Sequence, residues 1–149
     1  MSKYFQFSKD AVKWFGDIDK YYPTKFDLYY LCLVLGLKSG RKADPVNTTD
    51  LIENFPREFT HTGHLLLGLL ISSELKAAGV DLSERVEVHR IIGELVDPTP
   101  SSKLSDEGMK AMNKYSQGGF DLLCEKFSDR PRTIETFLSK YSKILNELP

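Results

Sequence analysis

The sequence of 149 residues has little of several features that mark specialised classes of protein. Its two cysteines are too few for the disulfide framework of a small secreted domain. Ten glycines and seven prolines are ordinary usage, which excludes collagen-like and proline-rich disordered chains. The longest nearly apolar stretch, Phe26–Leu37, has 12 residues and contains Asp27, so it is too short to span a bilayer. These absences favour one ordinary water-soluble domain over residues 1–149, with no membrane association.

An excess of charge of one sign is also missing. The sequence has 20 Lys and Arg residues against 21 Asp and Glu residues, which gives a formal net charge of −1. Domains that bind nucleic acid are usually strongly basic. Any contact of this chain with nucleic acid must therefore depend on a local group of cations.

The beginning of the chain and the two cysteines indicate the cellular compartment. The first ten residues lack the apolar core and the small-residue cleavage pattern of a secretory signal. Cys32 lies in an apolar run and Cys124 in a helical pattern, and we expect both to be buried, reduced thiols. We therefore expect a cytoplasmic protein.

Hydrophobic periodicity indicates the fold class. Apolar residues recur at intervals of three and four along most of the chain, which is typical of amphipathic helices. The segment Phe26–Leu37 is apolar on nearly every face, and a helix of this kind must be central in the core. Its tyrosines and valine leave a buried strand as the alternative. The sequence predicts an all-α fold, a compact single-domain bundle of six or seven helices around this apolar helix.

Capping residues set the predicted helix boundaries. Helix starts are predicted at Ser8, Thr24, Pro56, Ser83, Ser105 and Pro131. Thr24 and Asp27 resemble a capping box in which Asp replaces the usual Glu. The first helix is predicted to end at residues 21–23, and a short turn is predicted over residues 48–52. Val86 is predicted to lie on the buried side of its helix.

Glycines predict the breaks between helices. Gly36 and Gly40 are expected to bracket a loop, and Gly79 is expected to close the long helix that begins at Pro56. The pair Gly118-Gly119 interrupts a helical stripe. It predicts a kink or a division into two helices.

The residues that could carry enzyme chemistry are few. His61 and His64 lie one helical turn apart, a spacing that could place both on one metal ion, but a third ligand is missing from the motif. The alternative is an exposed helical pair without metal. No serine lies in a nucleophile-elbow sequence, and the order of residues in a phosphate-binding loop is absent. The sequence predicts a protein that is not an enzyme, with no catalytic residue, metal or cofactor.

Two surfaces are candidates for binding. The loop Lys38–Lys42 carries three cations, and cations near the start of the last helix could extend it into a patch that contacts phosphate oxygens. The candidate nucleic-acid-binding residues are Lys38, Arg41, Lys42, Arg130 and Arg132. The alternative is a solvated turn whose cations offset the partial negative charge of helix carbonyls.

The second surface is the apolar stripe of the last helix. Its candidate partner-binding residues are Phe137, Tyr141, Ile144 and Leu148. A terminal amphipathic helix either packs against its own domain or presents its stripe to another chain. Packing within the domain is the favoured alternative.

Two segments of the sequence together carry a family resemblance. The first is the apolar run that ends in Gly36-Leu-Lys-Ser-Gly-Arg-Lys42. The second is Leu104-Ser-Asp-Glu-Gly108 followed by Tyr115-Ser-Gln-Gly-Gly-Phe120. Both resemble small accessory proteins encoded beside bacterial DNA-phosphorothioation (Dnd) and related anti-phage defence genes, and the match covers about a third of the chain.

The resemblance implies a non-catalytic subunit that helps a larger ATPase or nuclease recognise DNA. The residues that match the shared loop are Gly36, Lys38, Gly40, Arg41 and Lys42. We therefore expect an accessory or adaptor subunit of a DNA-directed defence assembly, acting through protein–protein contacts. The alternatives are a DNA-binding module that uses the loop Lys38–Lys42 and a small metal-dependent hydrolase built on His61 and His64.

Overall fold

A computed structural model describes residues 4–100 and 102–149 of the chain. Six α-helices and one two-stranded sheet form the described part, and the predicted mainly helical fold is confirmed. The helices are α1 (Lys9–Trp14), α2 (Lys25–Ser39), α3 (Thr60–Ala77), α4 (Arg85–Leu95), α5 (Asp106–Lys126) and α6 (Ile134–Glu147). Two short 3-10 helices, Asp19–Tyr21 and Arg57–Phe59, complete the helical structure of the described residues.

The sheet replaces the turn that the sequence predicts over residues 48–52. Strands β1 (Gln6–Ser8) and β2 (Thr48–Asp50) pair antiparallel, with Phe7 opposite Thr49. Each strand has three residues. A stretch of that length is too short to display the alternation by which a strand is recognised in a sequence.

The described residues group into two compact units. The first contains Ile52–Met112 with the described residues that precede Gln6, and the second contains Gln6–Leu51 and Asn113–Pro149. Helix α5 therefore begins in the first unit and ends in the second. The expectation of one domain over residues 1–149 stays a prediction.

Helix α2 forms the core of the second unit. It is a helix and not the alternative strand, and the predicted cap is present, because the Asp27 carboxylate accepts from the backbone N–H and the hydroxyl of Thr24 at 2.8 and 2.9 Å. Its buried residues lie on nearly every face, as predicted for a central apolar helix. They are Phe26, Leu28, Tyr29, Cys32, Leu33, Leu35, Gly36 and Leu37.

Glycines allow α2 and α5 to approach each other closely. The predicted division of the helix at Gly118-Gly119 is wrong, because α5 is continuous from Asp106 to Lys126. A Cβ atom at Gly119 would overlap the backbone carbonyl of Cys32, and one at Gly36 would overlap the carbonyl of Tyr115. Gly36 therefore lies inside α2 and does not bracket a loop, whereas Gly40 does end the helix. Gly36 and Gly119 therefore allow the backbones of α2 and α5 to lie close together.

The structure confirms some predicted helix starts. The Ser8 hydroxyl accepts from the backbone N–H groups of Asp10 and Ala11 at 3.1 and 3.2 Å and caps α1. The Ser105 hydroxyl accepts from Gly108 N–H at 2.9 Å in the first turn of α5. Pro56, by contrast, precedes the 3-10 helix Arg57–Phe59, and α3 itself begins at Thr60, four residues later than predicted. These caps are local in sequence, which makes them predictable.

Other predicted boundaries are shifted. Helix α1 ends at Trp14, although Phe15 and Ile18 beyond it remain buried. Helix α4 begins after Glu84 and not at Ser83, and α6 is capped by the Thr133 hydroxyl and not opened by Pro131. At α1 the buried pattern continues beyond the end of the helix, so periodicity alone misplaces that boundary.

Helices α3 and α4 pack together in the first unit. Their buried apolar residues are Leu66, Leu70 and Leu75 of α3 and Ile91 and Leu95 of α4. Gly79 ends α3 as predicted, with a φ of +68°, and the N–H groups of Gly79 and Val80 donate to Lys76 and Leu75 carbonyls at 3.1 and 3.0 Å. This is the Schellman arrangement, in which a left-handed glycine follows the helix.

Replacing Gly119 with alanine tests the close approach of α2 and α5. We expect Gly119→Ala to lower the free energy of unfolding by about 3 kcal/mol, because the new methyl group overlaps a backbone carbonyl that cannot rotate away. Gly93→Ala is the matched control, since Gly93 lies inside α4 with open space at its Cβ position. Alanine there should raise stability by up to about 1 kcal/mol. Urea unfolding measures both, and equal values for the two variants would contradict the packing described.

Candidate interaction surfaces

The cationic loop after α2 is held against α5. Gly40 adopts a left-handed conformation with a φ of +74°, and Arg41 N–H donates to the Gly36 carbonyl at 3.1 Å. Ala43 N–H then donates to the Lys114 carbonyl of α5 at 3.1 Å. The loop therefore has a fixed backbone path along its neighbouring helix.

Each cation of the loop has a partner within the second unit. The Lys38 ammonium donates to the Leu145 carbonyl, in the last turn of α6, at 2.8 Å. Arg41 forms an ion pair with Glu125 of α5. The Lys42 ammonium lies 5.5 Å from the centre of the Tyr115 ring. The loop therefore joins α2 to α5 and α6, and Lys38 offsets the charge of helix carbonyls as the alternative interpretation predicts.

Arg130 and Arg132 both form ion pairs with Asp17. Their guanidinium groups lie 3.7 and 3.4 Å from the Asp17 carboxylate, and Arg132 lies 3.0 Å from Asp129. The hydrogen bond from Arg132 lowers the pKa of Asp129. Asp17 pairs with these two arginines, whereas Glu125 pairs with Arg41. The structure therefore divides the five candidate cations between the loop after α2 and the acids Asp17 and Asp129.

The apolar stripe of α6 packs within its own unit. Phe137, Tyr141 and Ile144 are buried, and only Leu148 is half-buried. The Tyr141 hydroxyl donates to the Leu31 carbonyl of α2 at 2.5 Å, and burial raises its pKa well above the usual range. The prediction that the three buried side chains present a surface to a partner is wrong, because they already fill the core of this chain. The favoured alternative, packing within the domain, is the one observed.

The three histidines lie at the surface of the described structure. His61, His64 and His89 are exposed, and no group of three His, Cys, Asp or Glu residues among residues 4–100 and 102–149 could hold a metal ion. Cys32 is buried as expected, and desolvation raises the pKa of its thiol. Cys124 is exposed, so the expectation of a second buried thiol is wrong.

Sequence reasoning missed the exposed apolar residues of the first unit. Leu82 and Val86, at 76% and 82% exposure, are the most exposed large apolar side chains of the described residues. Val86 was predicted to be buried. It follows the helical period of α4, but the position faces solvent. In the sequence Val86 is recognisable only as an apolar residue at the helical period. Periodicity assigns such a residue to the core of its own chain, so the exposure of Val86 was not predicted.

A second apolar surface lies on α3. Leu65 and Leu69 are 69% and 48% exposed, and Gly68 and Ser72 are exposed on the same side of the helix. No Asp, Glu, Lys or Arg occurs between Thr60 and Ser73. The signal in the sequence was that α3, like α2, is apolar on more than one face.

The first unit also contains an acidic cavity of about 570 Å³. Its walls carry the carboxylates of Glu53, Asp97, Asp106 and Glu107 beside the apolar side chain of Met109. Asp106 and Glu107 lie in the first turn of α5, where acidic residues favour the positive end of a helix. Asp106 and Glu107 therefore stabilise the start of α5.

Comparison with known proteins adds no relative. No known protein family, curated protein or solved structure matches the chain significantly. In the part of the chain that the structure describes, no helix is long and apolar enough to cross a membrane.

Replacing Gly40 tests whether the loop depends on a left-handed residue. We expect Gly40→Val to lower the free energy of unfolding by about 2 kcal/mol, because a β-branched residue is strained at a φ of +74°. Gly40→Asn is the matched control and should lose less, since asparagine tolerates this conformation and nothing lies within 4 Å of the Cβ position. Thermal and urea unfolding give the comparison. Equal stability of the valine variant and the wild type would show that the loop does not need this conformation.

Proposed function

We propose that the protein is a non-catalytic accessory or adaptor subunit that acts through protein–protein contacts. The observation that supports this proposal most directly is the exposure of Leu82 and Val86 at the connection between α3 and α4. Burial of an exposed apolar side chain in a partner's surface is favourable, by about 1.5–3 kcal/mol for a full-sized side chain. Two such side chains four residues apart can serve as anchors for a partner.

The connection between α3 and α4, which carries Leu82 and leads to Val86 in the first turn of α4, is held by its own hydrogen bonds. The Asp81 carboxylate accepts from the backbone N–H and the hydroxyl of Ser83, at 2.9 and 3.1 Å, and these bonds lower its pKa. Glu84 N–H donates to the Asp81 carbonyl at 2.9 Å and closes a turn with Leu82 near its tip. A fixed turn loses little conformational entropy when a partner binds.

Charged residues surround the two anchors. Asp81, Glu84 and Arg85 are exposed beside Leu82 and Val86. An apolar centre with a polar rim is the usual arrangement of a protein–protein interface. Asp81, with a pKa held low by Ser83, keeps its charge at neutral pH.

The resemblance to accessory proteins of the Dnd type supports the choice of assembly. It leads us to propose a cytoplasmic, DNA-directed anti-phage assembly whose larger partner is an ATPase or nuclease. The residues that match the shared loop hold α2, α5 and α6 together, which agrees with a subunit that supplies structure and not chemistry. Direct DNA contact through Lys38–Lys42 is less favoured, because phosphates would have to displace the partners of those cations.

Capture of the partner tests the proposal. The tagged protein is purified from its native host before and after nuclease treatment, and bound proteins are identified by mass spectrometry. We expect to recover a larger protein both before and after nuclease treatment. Its recovery should fall at least about tenfold in a Leu82→Ser, Val86→Ser double variant, because the apolar anchors are lost.

Val46→Ser is the matched control for this experiment. Val46 is also largely exposed, but it belongs neither to the turn at Leu82 nor to α4, so its replacement should leave recovery unchanged. Circular dichroism checks that the variants are folded. Recovery that is insensitive to the double variant, or that disappears with nuclease, would contradict the proposed surface and favour DNA binding.

A further inference from the structure

Gly68 has no role within the chain that explains it. It lies near the middle of α3, and glycine inside a helix is unfavourable relative to alanine. Its conformation is not left-handed, and nothing lies within 4 Å of its Cβ position. Among the described helices, two glycines have open Cβ positions, Gly68 of α3 and Gly93 of α4, and Gly93 lies beside the charged Arg90 and Glu94. The other helical glycines face atoms that a Cβ would overlap or crowd: Gly36, Gly63, Gly108, Gly118 and Gly119.

The residues around Gly68 alternate between large and small on one exposed face. The order is Leu65, Gly68, Leu69 and Ser72, at the spacing of three, one and three that keeps residues on one side of a helix. All four are exposed, and the two leucines project from the surface. The face therefore consists of two projections and two depressions.

We propose that this face binds a second copy of the same chain, with the two α3 helices antiparallel and crossing between Gly68 and Leu69. A two-fold axis at that point places Leu65 of one copy against Ser72 of the other, and Leu69 against Gly68. Each exposed leucine then meets a small residue. A two-fold contact requires such a self-complementary surface, because the same residues are used on both sides.

The charge of the face also fits a second copy. A charged residue near a two-fold axis meets its own like charge in the other molecule, which is unfavourable. None of the residues from Thr60 to Ser73 is Asp, Glu, Lys or Arg, in a sequence of which 28% is charged. The proposed axis exchanges residues 64–73 with one another, so the centre of the contact contains no Asp, Glu, Lys or Arg that would meet its own copy.

The dimer is expected to be reversible. Stable interfaces use about 20–30 residues on each side, and one pair of crossed helices offers fewer. This contact does not use Leu82 or Val86, so it goes beyond the proposed adaptor surface. If the protein dimerises but captures no partner, only the adaptor proposal fails. If it captures a partner but stays monomeric, only the dimer proposal fails.

Sedimentation equilibrium over a concentration series tests the dimer. We expect reversible association of the wild type, weakened at least about tenfold in Gly68→Leu, because the new side chain fills the depression that receives Leu69. Gly93→Leu is the matched control, since Gly93 also lies inside a helix with an open Cβ position, but beside the charged Arg90 and Glu94. It should associate as the wild type does.

A charge exchange tests the antiparallel geometry. Leu65→Glu and Ser72→Lys should each weaken association, and the combined variant should associate more strongly than the sum of the two effects predicts. In the antiparallel pair each new glutamate faces a new lysine, whereas a parallel pair brings like charges together. Both positions are exposed, and circular dichroism with thermal melting confirms that each variant folds.

Three outcomes would overturn the proposal. They are a wild type that stays monomeric at every concentration, association that Gly68→Leu and Gly93→Leu change equally, and no recovery in the combined charge variant. A monomer would leave the α3 face to a different protein.

Discussion

The close approach of α2 and α5 is the constraint on which the rest of the second unit depends. Gly36 and Gly119 leave room for backbone atoms of the facing helix, which larger residues would displace. At that distance the Tyr29 hydroxyl donates to Asn113 Oδ1 at 2.7 Å within the core. The same oxygen accepts from Gln6 N–H at 2.9 Å, so β1 is attached to the helix pair. Because the buried Asn113 oxygen accepts both hydrogen bonds, it specifies one arrangement of α2, α5 and β1.

The cationic loop follows from the same constraint. Because α2 lies so near α5, the chain that leaves Gly40 runs along α5, and Arg41 and Lys42 reach Glu125 and Tyr115. The Arg41–Glu125 ion pair, the contact of Lys42 with Tyr115 and the Lys38 hydrogen bond each contribute little, about 1 kcal/mol or less. Their number and their position at one junction give them a structural role. The basic loop Lys38–Lys42 therefore has a structural explanation. The exposed apolar residues of α3, and those at Leu82 and Val86, have none within the chain.

Local signals in the sequence were sufficient for much of the fold. The cap at Thr24 and the loop boundary at Gly40 depend on residues within one turn of the chain, and both are observed as expected. The division at Gly118-Gly119 was predicted wrongly because Gly119 faces α2 and Gly118 faces the loop that follows it, both far away in sequence. Val86 was misplaced because periodicity identifies an apolar face but not what covers it. For the same reason the buried stripe of α6 and the exposed face of α3 could not be told apart.

The central claim is that the loop cations serve the fold and that binding takes place elsewhere on the chain. The most direct measurement compares the wild type with a variant in which Lys38, Arg41 and Lys42 are all replaced by alanine. Urea unfolding and anisotropy of labelled duplex DNA over a salt series are recorded for both proteins. We expect the variant to lose about 1–2 kcal/mol of stability, from three surface contacts, while neither protein binds DNA in a steeply salt-dependent way. Unchanged stability, together with salt-dependent DNA affinity that the variant loses, would contradict the account.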